Sequence, residues 1–159
     1  MDLKSKVREI TNIVAGRFVV VFNEFFGGIL DIGVPVEQKN IEDLELKKHP
    51  YLSFLARIDT GKGYISILFM VLKEEFSNFS ENPEEFFSEL FDGMENVILD
   101  TLDSMELGDE IKINKIEFIP DDENVLDKEM SCRKADGFSF APIFFKEDKR
   151  EFCGLFVIG

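Results

Sequence analysis

From Leu3 to about Phe26 the apolar residues fall at Val7, Ile10, Val14, Phe18, Val21 and Phe25. Spacings of three and four predict an amphipathic helix. The run Val19-Val20-Val21 is β-branched, so packing rather than propensity must hold that part. Gly27-Gly28 ends the helix. A strand is expected from about Ile29 to Glu37, then a polar stretch through Lys48. Tyr51 to Ile58 and Tyr64 to Leu72 read as two strands, joined by the hairpin-turn residues Thr60-Gly-Lys-Gly63. Ser77 to Pro83 is a Ser/Asn/Pro-rich break. A second helix is expected from about Pro83 to Met105, with the apolar stripe Phe87, Leu90, Phe91, Met94, Val97, Ile98 and Leu102. Pro83 suits its first turn, Glu84 and Glu85 favour the positive end of its dipole, and Gly108 follows its end. Glu110 to Ile119 alternates as a strand closed by Pro120-Asp-Asp, and a loop follows. Phe138 to Phe145 and Glu151 to Ile158 form a last apolar pair around Lys146-Glu-Asp-Lys149.

The order is thus helix, strand, hairpin, repeated once without obvious sequence identity. It predicts an α+β fold with two long helices packed on one mainly antiparallel sheet. No linker interrupts it, so one domain is expected, with pseudo-repeats of about 1–76 and 77–159.

Composition narrows the classes. At 159 residues, 45% apolar with 18 Phe, the chain is long enough for one real core and too apolar for disorder. No apolar run approaches the roughly 18 residues of a membrane span, and the charged start Met1 to Glu9 has no signal-peptide core. A cytoplasmic protein is expected. A net charge of −14 argues against nucleic acid or an anionic membrane as partner. Cys132 and Cys153 lie far apart with no CxxC and read as free buried thiols. The only histidine, His49, precedes Pro50 in a loop and reads as solvated, so no metal site is expected.

The candidate chemistry sits on the first helix. At about 100° per residue, Glu9, Asn12, Gly16 and Asn23 cluster opposite the apolar stripe. Glu9 and Asn12 are neighbours at i,i+3, and Gly16 lies one turn beyond. A mid-helix Gly costs about 1 kcal/mol relative to Ala, which close approach by another backbone would justify. Spacing alone does not separate this carboxylate-plus-amide patch from an ordinary solvated helix face.

The stretch Arg8-Glu-Ile-Thr-Asn-Ile-Val-Ala-Gly16 resembles the helix motif E-I-G-N-I-x-x-G of the CheC/CheX/FliY family of chemotaxis phosphatases. Without a gap, Leu30-Asp-Ile-Gly-Val-Pro35 resembles that family's short strand ending in Val-Pro. Tyr64 to Met70 sits where the family has a Gly-x-x-x-Leu-Leu type strand, and the repeated order fits its pseudo-two-fold design. The resemblance covers most of the chain in outline and is specific over Glu9 to Pro35. It implies hydrolysis of the aspartyl phosphate of a CheY-like response regulator. Asn12 would orient the attacking water and Glu9 would anchor the regulator, while Gly16 leaves room for docking. Mg²⁺ would belong to the regulator, so no cofactor of the chain's own is implied.

Two departures matter. Some members carry a second motif copy on the second helix. Aligned here, Asn96 takes the Asn position, Gly93 falls where Glu should be and Asp100 where Gly should be. Asp92 precedes Asn96 by four, but Glu89, Asp92, Asp100 and Asp103 crowd it with negative charge. The second site reads as degenerate, and the acidic cluster as a solvated face rather than a metal site. Thr11 stands where the family more often has Gly, at the edge of the apolar face. The alternative functions are a non-catalytic module, like flagellar switch proteins, binding a phosphorylated regulator or a CheD-like deamidase, and a structural homodimer joined through an exposed sheet edge.

Overall fold

The computed structural model describes residues 3–33, 36–38, 51–59, 64–76, 81–104, 112–120, 125–133 and 138–158. Along the chain these form α1 (Leu3–Phe26), β1 (Leu30–Ile32), β2 (Val36–Gln38), β3 (Tyr51–Asp59), β4 (Tyr64–Leu72), α2 (Lys73–Phe76) and α3 (Pro83–Ser104), then β5 (Lys112–Pro120), α4 (Val125–Arg133), β6 (Phe138–Phe145) and β7 (Glu151–Ile158). Val34-Pro35, His49, Thr60 to Gly63, Ser77 to Ser80, Gly108 and the side chain of Val97 lie outside the described residues.

The seven strands form one sheet in the order β1-β6-β7-β4-β3-β5, with β2 also on β6. All its described pairings are antiparallel. The order reads the same from both ends once β1 is matched with β5, β3 with β6 and β4 with β7. Each half's helix-following strand therefore pairs with the other half's hairpin, and β4 meets β7 at the centre. This is the pseudo-two-fold arrangement expected from the repeated order of elements.

α1 and α3 cover one face. Alternate strand residues, Phe54, Ala56 and Ile58 on β3 with Ile65, Ile67 and Phe69 on β4, join their apolar stripes in one core. The rings interlock: Phe18 lies 4.9 Å from Phe69 and Phe22 5.2 Å from Phe152 under α1, and Phe54 lies 5.6 Å from Phe87 under α3. Such pairs each contribute about 0.5–1.5 kcal/mol beyond the area they bury. Where Val21 of α1 faces α3, a Cβ on Gly93 would come to 3.7 Å of its Cγ1.

Four sequence expectations change. The strand expected from Ile29 to Glu37 is two short strands, β1 and β2, laid one after the other along β6. Opposite the interruption stands Pro142, which has no N–H to give. Its carbonyl accepts Gly33 N at 2.8 Å, and a Cβ on Gly33 would fall 2.6 Å from its ring. The loop expected after Pro120 contains α4, which packs on the opposite sheet face over Leu55, Leu68, Met70 and Phe156. Cys132, on α4, is exposed rather than buried; Cys153 is buried, and neither is in a disulfide. Phe25, assigned to the core stripe, is 55% exposed, and Phe22, Ala15 and Thr11 are buried instead. The stripe is rotated because α1 packs over β1, β6 and β7 as well as against α3.

α4 is held by a polar clamp. Glu129 is only 3% exposed. Its carboxylate accepts Arg57 Nε at 3.2 Å and Arg57 Nη2 at 2.9 Å, and also accepts Ser66 Oγ. Arg57 and Ser66 are direct cross-strand neighbours on β3 and β4. The hydrogen bond that Arg57 donates to Glu129 raises the Arg57 pKa above its ordinary value, against the opposing effect of burial. Among the described residues no helix is long and apolar enough to cross a membrane.

Candidate functional site

α1 places the predicted constellation on its outer ridge. Glu9 and Asn12 are exposed, and Ile10, Val14 and Phe18 on the opposite side are buried. Asn12 lies three residues after Glu9, a rise of about 4.5 Å, and Gly16 follows about 6 Å further on. Neither the Glu9 nor the Asn12 side chain has a hydrogen bond or ion pair to another described residue. Both polar ends therefore face solvent, available to a partner.

Gly16 leaves the ridge open. A Cβ added there would meet nothing within 4 Å beyond the adjoining turns of its own helix. The fold therefore does not demand glycine at this position, although Gly costs about 1 kcal/mol in a helix relative to Ala.

Asn23, the fourth member of the expected stripe, is a correction. It is half-buried and works for the backbone. Its Oδ1 accepts Ile29 N at 3.2 Å and Leu30 N at 3.1 Å, and its Nδ2 donates to Leu30 O at 3.1 Å. With Gly27 at φ 85°, it turns the chain from α1 into β1. Thr11 is also removed from the surface. It is 0% exposed, and its hydroxyl donates to Val7 O at 2.7 Å. It therefore lies under the ridge and does not touch a partner directly.

On α3, Asn96 and Asp92 are exposed, as are Glu89, Gly93, Asp100 and Asp103. The two helices differ in charge. α1 carries four basic residues (Lys4, Lys6, Arg8, Arg17) and two acidic ones (Glu9, Glu24). α3 carries seven acidic residues (Glu84, Glu85, Glu89, Asp92, Glu95, Asp100, Asp103) and no basic one. Pseudo-symmetry in the backbone is not matched by symmetry in the surface. Among the described residues no three His, Cys, Asp or Glu are grouped to hold a metal ion.

The Arg57–Glu129–Ser66 clamp is the polar group that sequence reasoning missed. The only signals were an Arg and a Ser interrupting otherwise apolar strands.

Neither a protein-family model nor a curated protein matches this chain. Solved structures do. CheX from Vibrio vulnificus superposes with a TM-score of 0.61 at 10% identity, over 94% of this chain and 98% of that one. A CheC-like superfamily protein from Shewanella sp. PV-4 gives 0.59 at 11% identity, over 99% and 98%. CheX in a CheX–CheY–BeF3–Mg²⁺ complex from Borrelia burgdorferi gives 0.59 at 14% identity, over 92% and 95%. The chain therefore has the fold of the CheC/CheX/FliY proteins, the one that the motif on α1 implied.

Proposed function

We propose that this protein hydrolyses the aspartyl phosphate of a CheY-like response regulator, with α1 as the docking helix. The observation that carries the reading is the exposed, unpartnered Glu9–Asn12 pair beside the open Gly16. The charge difference between the helices favours α1, because an acidic, phosphorylated pocket is repelled by the face of α3. A CheX of this fold in complex with CheY, BeF3 and Mg²⁺ supports the same partner class.

The chemistry asks little of the chain. An acyl phosphate is already activated, and its hydrolysis is mostly a matter of placing a water in line with the leaving carboxylate. The Asn12 amide accepts from and donates to such a water without titrating. Glu9, a turn away, pairs with a cation of the regulator's active site and fixes the approach. Mg²⁺ belongs to the regulator. Asn96 and Asp92 lack the Glu and the basic surroundings of the α1 site, and in this reading α3 does not hydrolyse.

The test follows loss of phosphate from a phosphorylated CheY-type regulator with and without the protein. Acceleration is the expected result. Tight binding without acceleration would instead make the chain a non-catalytic module. Glu9→Ala should raise KM about tenfold with little change in kcat, since one charge-assisted hydrogen bond is worth about 1.5–3 kcal/mol and this one lies at a wet rim. Gly16→Ala separates folding from docking. By helix propensity it should stabilise the fold by up to about 1 kcal/mol in denaturant unfolding, and weaken binding of the regulator by filling the notch. An unchanged affinity would remove Gly16 from the site.

A further inference from the structure

The ridge does not stop at Gly16. Val20 lies one turn further and is 46% exposed. On the helix it falls within about 40° of both Glu9 and Gly16. Its neighbours in sequence turn elsewhere: Val21 is buried and Val19 packs partly against the core. A valine on a solvated helix face adds nothing to helix propensity and leaves apolar surface in water. Gly16 has no side chain, and the side chains flanking it toward Val20, Ile13 and Arg17, are half-buried, so the ridge is low between Asn12 and Val20. A surface that brings its reacting group to Asn12 and lies flat across Gly16 therefore meets Val20.

We propose that Val20 is a docking residue that sets affinity and partner choice, an apolar seat for the receiver domain of the regulator. The proposal rests on the phosphatase reading and adds a second anchor to it. The eight residues from Asn12 to Val20 rise about 12 Å. The partner must then present an exposed apolar side chain about 12 Å from its phosphorylated aspartate, beside an acidic pocket that meets the basic residues of α1. Val20 touches no reacting atom, so it acts on binding and not on the chemical step.

Steady-state dephosphorylation of a phosphorylated CheY-type regulator tests this, with Val20→Ala and Val20→Glu beside the wild type. Val20→Ala should raise KM about threefold to tenfold, because part of a buried valine is lost. Val20→Glu should raise it at least tenfold, because a charge would be placed in an apolar contact. kcat should stay within about twofold, and thermal unfolding should show both variants folded. KM unchanged in both, against a wild type that accelerates hydrolysis, would overturn the role of Val20 and leave the phosphatase reading intact. A wild type that neither binds nor dephosphorylates the regulator would overturn both. A fall in kcat at constant KM would also refute a docking role.

Discussion

Asn12→Ala should lower kcat for aspartyl-phosphate hydrolysis about 100-fold while leaving the protein as stable as before. The size follows from what the amide does. A positioned water reacts as part of a unimolecular array, and loss of its orienting group returns it to bulk-like freedom. The lack of a stability effect follows from the site. Asn12 is exposed and its side chain bonds to no other described residue, so truncation removes no packing and leaves no buried group unsatisfied. Asn12→Asp keeps the shape but sets a negative charge against the phosphoryl oxygens, and should be no better than alanine. Single-turnover rates with saturating regulator read the effect directly. A loss confined to KM would move Asn12 from the chemistry to docking.

Arg57→Met should destabilise the fold by about 2–3 kcal/mol, because it takes the charged partner from a buried carboxylate in a pair whose arginine is partly exposed. For a domain of this size that lowers the melting temperature by roughly 10 °C. The cause is local. Glu129 remains under α4 without the Arg57 cation, and a buried carboxylate so placed is poorly compensated. Arg57→Met combined with Glu129→Leu should recover most of the loss, because the clamp sits among Leu55, Leu68, Met70 and Leu126, where apolar side chains fit. α4 lies on the sheet face opposite α1, so the double variant should keep the wild-type kcat at temperatures where it is folded. Equal destabilisation in the single and double variants would mean that packing, not charge, holds α4.

The parts of the fold with strong periodicity were legible. α1, α3 and the hairpins β3–β4 and β6–β7 lie within a few residues of their expected limits, because each buries a regular apolar stripe or alternation. α4 was not legible because its buried face includes a glutamate. Val125, Leu126 and Met130 alone make no helical stripe, and the partner that makes Glu129 acceptable is Arg57, far away in sequence. The break between β1 and β2 depends on Pro142 in a distant strand and could not be read locally. Asn23 shows the limit of the wheel. It shares the angle of Asn12, but at the helix end the following strand folds back onto it and takes its amide for backbone hydrogen bonds. Glu9, Asn12 and Gly16 sit mid-helix, where no such strand arrives, and there the sequence pattern and the exposed surface coincide.

The first-order loss of aspartyl phosphate from a CheY-type regulator, alone and saturated with this protein, tests whether the ridge of α1 removes phosphate from a receiver domain. A faster loss is expected with the wild-type chain, and a return to the rate of the regulator alone with Asn12→Ala although the complex still forms. A saturated complex that loses phosphate no faster than the free regulator, or an Asn12→Ala protein as active as the wild type, would contradict that role of the ridge.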